Sequence, residues 1–233
     1  DFGGSLRWNK RTFHTQVNFL FTHLDRTLVP QKENAPYRRY AAEGNDFMNT
    51  SINYGYVNTR LSFSGEIALN KEGALAAIHQ FSYRLRVPLT MKILHRYYDK
   101  RYTALHAKSF SEGSNIQNEH GVYAGITWQP SPRLSLTGYV DYAHFSWKRY
   151  QASMPSDAFD TMMLFHYLIS TRWKVEGHYR LHIRQKDNQE KTMLLNQTEQ
   201  RARLRLTYNA MSALSLQTQL DGINVSYKGH DKG

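Results

Sequence analysis

The chain has 233 residues, no cysteine and a formal net charge of +11, with a mean hydropathy of −0.65. No apolar run approaches the ~18 residues that a membrane-spanning helix needs, which excludes helical spans and leaves open a β-barrel, where only alternate residues meet lipid. The basic balance points to anionic partners: nucleic acid, lipopolysaccharide phosphates or acidic solutes.

Alternation with a period of two predicts about twelve strands, at roughly 3–8, 12–24, 50–57, 60–69, 74–83, 88–98, 119–128, 133–146, 158–169, 173–185, 198–208 and 214–226. Near the amino terminus Phe13, Val17, Phe19 and Phe21 oppose His14, Gln16 and Asn18, and then Leu61, Phe63 and Ile67 oppose Arg60, Ser64 and Glu66. The segment 74–83 has an ambiguous face. Leu89, Met91 and Ile93 oppose Thr90 and Lys92, and Leu134, Leu136 and Val140 oppose Ser135, Thr137 and Asp141. The segment 158–169 is apolar on both sides. The clearest case is 173–184, where Trp173, Val175, Tyr179, Leu181 and Ile183 form one face and Lys174, Glu176, His178, Arg180, His182 and Arg184 the other. A strand puts all these charges on one side; a helix would scatter them.

Short turns are expected at Asn9–Arg11, Val57–Thr59, Arg84–Val87, Gln129–Arg133, Ser170–Arg172 and Asn209–Ala213, and longer polar stretches at about 25–49, 99–118, 147–157 and 186–197. The prolines at 130 and 132 mark a turn, since neither can serve a central ladder. Short turns on one rim and long loops on the other is the layout of an outer-membrane barrel, with the short turns periplasmic and the long loops extracellular. Trp8, Tyr83, Trp128, Trp173 and Tyr208 at short-turn ends, with Tyr142, Trp147 and Tyr150 near long-loop ends, read as two aromatic girdles. The expected fold class is therefore all-β: an antiparallel transmembrane β-barrel in the bacterial outer membrane. Residues 1–233 form a single domain, expected to lack strands at both ends. A soluble sandwich is the competing reading, but its strands run only ~5–6 residues.

The stretch Leu94 to Tyr102, with Phe110 to Gly113 and Gln117 to Gly121, resembles the barrel region of Bacteroidetes outer-membrane proteins of the helix-hairpin-helix, ComEA-like type. Leu61 to Glu66 and Trp128 to Leu136 are similar to the same proteins, so the resemblance covers about 50–225. It implies the barrel fold and the outer membrane. The family's helix-hairpin-helix module does not occur in this sequence, so the resemblance implies DNA binding only through a module not present here.

One candidate site is a basic patch on the inner faces of 173–185 and 198–208: Lys174, His178, Arg180, His182, Arg184, Arg201, Arg203 and Arg205, with Glu176 expected as the lone acid on those two faces. Such a patch concentrates anions and charged rings set pore selectivity. Its bland counterpart is a solvated wall balanced by Glu66, Asp141 and Asp221 on other strands. Loop 99–118 offers Phe110, Glu112 and, at its exit, Glu119 as a constriction whose acids pair with the basic wall. No histidine spacing suits a metal, since His178 and His182 lie two pleats apart on one strand, and no cofactor is expected. Asp141, His144 and Ser146 adjoin in sequence, but His144 has the opposite parity to Asp141, which argues against an enzyme. The expected function is a pore or uptake component for anionic solutes, contacting outer-membrane lipids and lipopolysaccharide. The alternatives are a structural or DNA-handling envelope component whose activity lies in an amino-terminal module, and an outer-membrane hydrolase.

Overall fold

The computed structural model describes residues 1–33, 35–85, 88–211 and 214–229. It is all-β. Strands β1 (Phe2–Lys10), β2 (Phe13–Leu28), β3 (Gly44–Val57), β4 (Leu61–Asn70), β5 (Leu75–Arg84), β6 (Leu89–Tyr98), β7 (Glu119–Ser131), β8 (Leu134–Phe145), β9 (Ser156–Leu168), β10 (Trp173–Asp187), β11 (Leu194–Met211) and β12 (Leu214–Gly229) form one antiparallel sheet. Each strand pairs with its neighbours in the chain, and the sheet is open between β1 and β12. No helix among the described residues is long and apolar enough to cross a membrane. A membrane β-barrel is compatible with this architecture.

Register fixes the two faces. On β10, Val175, Gly177, Tyr179 and Leu181 stand opposite Leu206, Leu204, Ala202 and Gln200 of β11 and Tyr167, Phe165, Met163 and Thr161 of β9. Leu136, Gly138 and Val140 of β8 continue the same rows. One face of the sheet is thus apolar throughout its middle, and its large side chains stay exposed: Leu6 is 78% and Leu220 68% accessible. Nothing among the described residues covers this face. An apolar surface on this scale requires lipid or another protein against it.

The two uncertain strands resolve by pairing. β5 directs Ala77, His79, Phe81 and Tyr83 to the apolar face, in line with Tyr97, His95, Ile93 and Met91 of β6. β9 directs Met163 and Phe165 to that face, and Asp160, Met162 and Leu164 to the polar one.

Three expectations need correction. Strands outrun the apolar alternation at the long-loop rim, so the connection expected at 25–49 shortens to the segment between Leu28 and Gly44, and that at 186–197 to the segment between Asp187 and Leu194. The reason is that hydrogen-bonded ladders continue with polar side chains beyond the apolar band. The turn expected at Gln129–Arg133 also shrinks, because β7 runs to Ser131 with a register shift between Trp128 and Ser131. Pro130 sits inside that irregularity, where its missing N–H leaves no ladder bond unmade. The turns expected at Arg84–Val87 and Asn209–Ala213 fall partly on residues 86–87 and 212–213, outside the described residues.

The buried part of the molecule lies on the polar face, near the long-loop rim. Ala68, Ala74, Ala76, Tyr98 and Tyr102 form one cluster, with Ala104 and Ile116 packed against it. Ala143, Phe145 and Ala158 form another. Small alanines on successive strands lower the floor of this face, and the segment between β6 and β7 fills the space.

Candidate functional site at the long-loop rim

The segment joining Tyr98 to Glu119 folds over the polar face instead of standing away from it. Its anchor is Arg96 on β6, which is fully buried. The Arg96 guanidinium donates to Glu119, and to both oxygens of Asp141 at 2.7 and 3.1 Å. Glu119 in turn accepts the backbone N–H groups of Glu112 and Gly113, each at 2.9 Å. Phe110 caps the guanidinium at 5.0 Å and meets Tyr123 edge-on. The Tyr98 hydroxyl donates to the Phe110 carbonyl at 2.8 Å. A buried cation between two carboxylates, one of which also holds two loop N–H groups, is costly to form. It also defines one path for the loop.

Glu112 extends the loop to the far wall. Its carboxylate lies 3.0 Å from His182 Nε2 and 2.7 Å from Arg184 Nη2, both on β10. Burial works to raise the Glu112 pKa, but the His182 hydrogen bond and the Arg184 charge override it and hold the group down at about 2. Glu119 behaves differently from the expectation that both acids reach the basic wall. It belongs to Arg96, because it leaves β7 directly beneath that side chain.

The basic patch is assembled on one face, with Glu176 opposite Arg205, His178 opposite Arg203 and Arg180 opposite Arg201. It is not an uncompensated field. Arg180 makes a two-point pair with Asp160 at 2.9 and 2.7 Å. Glu176 serves Lys174 at 2.9 Å, His166 at 2.7 Å and Arg205 at 3.7 Å. Arg203 meets Asp221 at 2.5 Å and Arg201 meets Glu199. Glu176 is therefore not the lone acid of these two strands, since Glu199 shares the parity of the β11 arginines. Against six lysines and arginines here stand five carboxylates, Glu112 included. Among the described residues, His178 and Glu66 have no ion-pair partner. Asp141 serves Arg96 and not the patch.

Trp8, Tyr83, Trp128, Trp173 and Tyr208 all lie on the apolar face at the short-turn ends of their strands, with the Trp173 and Tyr208 rings 4.4 Å apart. Tyr142 lies on the same face near the opposite rim, 47% accessible. Trp147 and Tyr150 depart from the expected girdle. They sit on the segment between β8 and β9 and pack against Tyr40 and Tyr37 of the segment between β2 and β3.

Two features escape a reading of the sequence. Arg96 is one; its parity is visible, but its partners lie one and two strands away. The other is a polar run on the apolar face: the Tyr54 hydroxyl meets His79 Nδ1 at 2.6 Å, His79 stacks on His95, and His95 Nε2 lies 3.1 Å from His120 Nε2. The outward parity of His79, His95 and His120 among leucines and isoleucines is its only signal in the sequence. No group of three or more metal-ligating side chains converges among the described residues. His144 pairs with Asp157 at 2.8 Å on the apolar face, whereas Asp141 lies on the polar face and Ser146 donates to Asn118. The three residues do not form a catalytic unit.

No family model and no curated protein matches this chain.

Proposed function

We propose that the chain forms wall and internal loop of an outer-membrane β-barrel that admits anionic solutes. The apolar face then meets acyl chains and lipopolysaccharide, and the polar face lines the lumen. The resemblance to the Bacteroidetes barrel proteins supports the same placement. The observation that carries the reading is the tie from Glu112 to Arg184, which runs a loop from β6 and β7 across β8 and β9 to β10. A loop held across the polar face narrows whatever passage that face borders.

The preference for anions is argued from the mouth more than from the wall. Ion pairing leaves the β10–β11 wall close to neutral. At the long-loop rim, Arg38, Arg39, Lys100, Lys148 and Arg149 have no carboxylate within ion-pair distance among the described residues. Acids such as Glu33, Glu72 and Glu190 stand elsewhere along the same rim, but Lys100, Lys148 and Arg149 line one cleft together, and such local clustering raises the concentration of counter-charged solute there.

Reconstitution in planar bilayers tests this. Anion-selective conductance is expected, with the reversal potential in a salt gradient moving toward zero when Arg201, Arg203 and Arg205 are changed to Ser, and further when Lys100 and Lys148 are changed to Gln. Cation selectivity, or no conductance from correctly folded protein, overturns the proposal. The latter result is the one that a structural or DNA-handling envelope role predicts.

A further inference from the structure

Three segments meet at the long-loop rim: 29–43, 99–118 and 146–155. Their meeting is fastened by hydrogen bonds between segments. Trp147 Nε1 donates to the Pro36 carbonyl at 3.2 Å. The Gln117 amide donates to the carbonyls of Tyr40 and Lys100, both at 2.6 Å. Asn118 donates to the Trp147 carbonyl at 2.9 Å and accepts from its N–H at 2.8 Å. Between the segments lies a cleft of about 490 Å³ lined by Tyr37, Tyr40, Lys100, Trp147, Lys148 and Arg149, among others. That is within the roughly 300–1,000 Å³ of small-molecule sites.

The lining combines two chemistries. Tyr40 and Trp147 stand edge to face, 5.1 Å between ring centroids, with the Lys100 ammonium 5.4 and 5.2 Å from the two rings. Tyr37 and Tyr150 form a second pair at 5.8 Å across two segments. Arg149 lies over the Phe145 ring at 3.5 Å and donates to Ser156, without any carboxylate partner among the described residues. Burial, with Arg184 adding to it, pulls the Arg149 pKa down to about 10. Glu112 also lines the cleft, but its carboxylate is already paired with His182 and Arg184. The cleft therefore offers aromatic surface to a ring with apolar faces, and guanidinium and ammonium groups to a negative charge that the protein itself does not supply.

The geometry points to a binding site for an acidic saccharide: a short oligosaccharide whose C–H faces pack on Tyr40 and Trp147 while a carboxylate or sulfate group pairs with Arg149 and Lys148. A sugar fits both halves of the cleft at once, whereas a bare anion uses only the cations and a neutral glycan only the rings. The inference rests on the preceding reading only in placing the cleft outside the cell. Binding is measured on folded protein in detergent, so loss of conductance and loss of saccharide binding are separate results.

The probes are a sulfated hexasaccharide, an oligogalacturonate, the neutral maltohexaose and sodium sulfate, titrated by calorimetry against the whole chain. Saturable binding of one or both acidic oligosaccharides is expected, at least tenfold tighter than maltohexaose or sulfate. Trp147→Ala and the exposed-side pair Lys100→Gln with Lys148→Gln are each expected to weaken it at least tenfold, whereas Arg60→Gln, in the short turn between β3 and β4 at the opposite rim, leaves it unchanged. Circular dichroism and heat-modifiable gel mobility confirm that each variant is folded. Equal binding of sulfate alone, equal binding of maltohexaose, or no saturable binding of either acidic oligosaccharide overturns the inference.

Discussion

Arg96 on β6 reaches Asp141 on β8 by passing over β7, where Gly121 leaves the space. A methyl group at 121 would stand within the Arg96 guanidinium. Gly121→Ala is expected to break the two-point pair and leave a buried charge uncompensated, a loss on the order of 3–5 kcal/mol for a buried pair. Urea unfolding in detergent or lipid reads the loss directly. Arg96→Met should cost a similar amount. Arg96→Met combined with Glu119→Gln and Asp141→Leu should recover most of it, because no buried charge then remains unpaired.

The tie of Glu112 to β10 gives the loop a pH dependence of known sign. The folded-state pKa of about 2 lies below the ordinary value of 4.5, so the stabilisation is complete above that ordinary value and disappears as pH falls through about 2. A depression of this size corresponds to roughly 3 kcal/mol. Proteolytic cleavage within 99–118 should stay slow at pH 5 and quicken steeply below pH 4. Glu112→Gln should give fast cleavage at every pH. If cleavage of the Gln variant matches the parent at pH 7, the tie does not hold the loop.

The chain has four tryptophans, and the structure separates them. Trp8, Trp128 and Trp173 lie on the apolar face near the short turns, and Trp147 lies between segments at the other rim. In vesicles containing lipids brominated near the headgroup, single-tryptophan variants retaining Trp8, Trp128 or Trp173 should be quenched to similar extents. The variant retaining Trp147 should be quenched far less. Quenching of Trp147 equal to the others would contradict the interfacial placement of the three.

On the apolar face, Gly65 lies between Tyr54 and His79, and a Cβ there would fall 2.6 Å from the Tyr54 hydroxyl. Tyr54→Phe removes the 2.6 Å hydrogen bond to His79, and a loss of about 0.6 kcal/mol is expected for a side-chain bond within a membrane. Gly65→Ala should lose as much or more, since it displaces the phenol. Equilibrium unfolding with both single variants and the double variant checks whether the two changes act on the same contact; if so, the double variant loses no more than the larger single loss.

The strand order and faces were legible because charge and grease alternate without interruption in segments such as 173–184. The ends of strands were not, because beyond the apolar band a polar strand and a polar loop have the same composition; Asp25 and Arg26 on β2 illustrate this. Pro130 misled for a definite reason: the rule that proline leaves a ladder is relaxed at a bulge. In the candidate site, the sequence marks Phe110 and Ile116 as apolar enough to turn inward, and Glu112 as an acid on that loop. It does not mark Arg96, whose neighbours of like parity, Leu94 and Tyr98, suggest an unremarkable strand. Its role depends on a gap at Gly121 and a carboxylate at Asp141, and both are aligned with it only once the register is known. Likewise, Glu199 has the parity of the β11 arginines, and its pairing with Arg201 shows how a wall rich in arginine becomes nearly uncharged.

Side chains that vault a glycine to reach the next strand but one make the sheet behave less like a stack of slats and more like a woven strip. Ladder bonds let adjacent strands slide only in whole-residue steps, and the vaulting contacts add diagonal threads: Tyr54 to His79 over Gly65 on one side of the fabric, Arg96 to Asp141 over Gly121 on the other. A tug on the loop, whose Glu112 and Gly113 N–H groups hold Glu119 on β7, is thereby shared through Arg96 with β6 and β8. The Arg96 thread lies near the long-loop rim, so that end of the weave is braced where the loop is fastened to it.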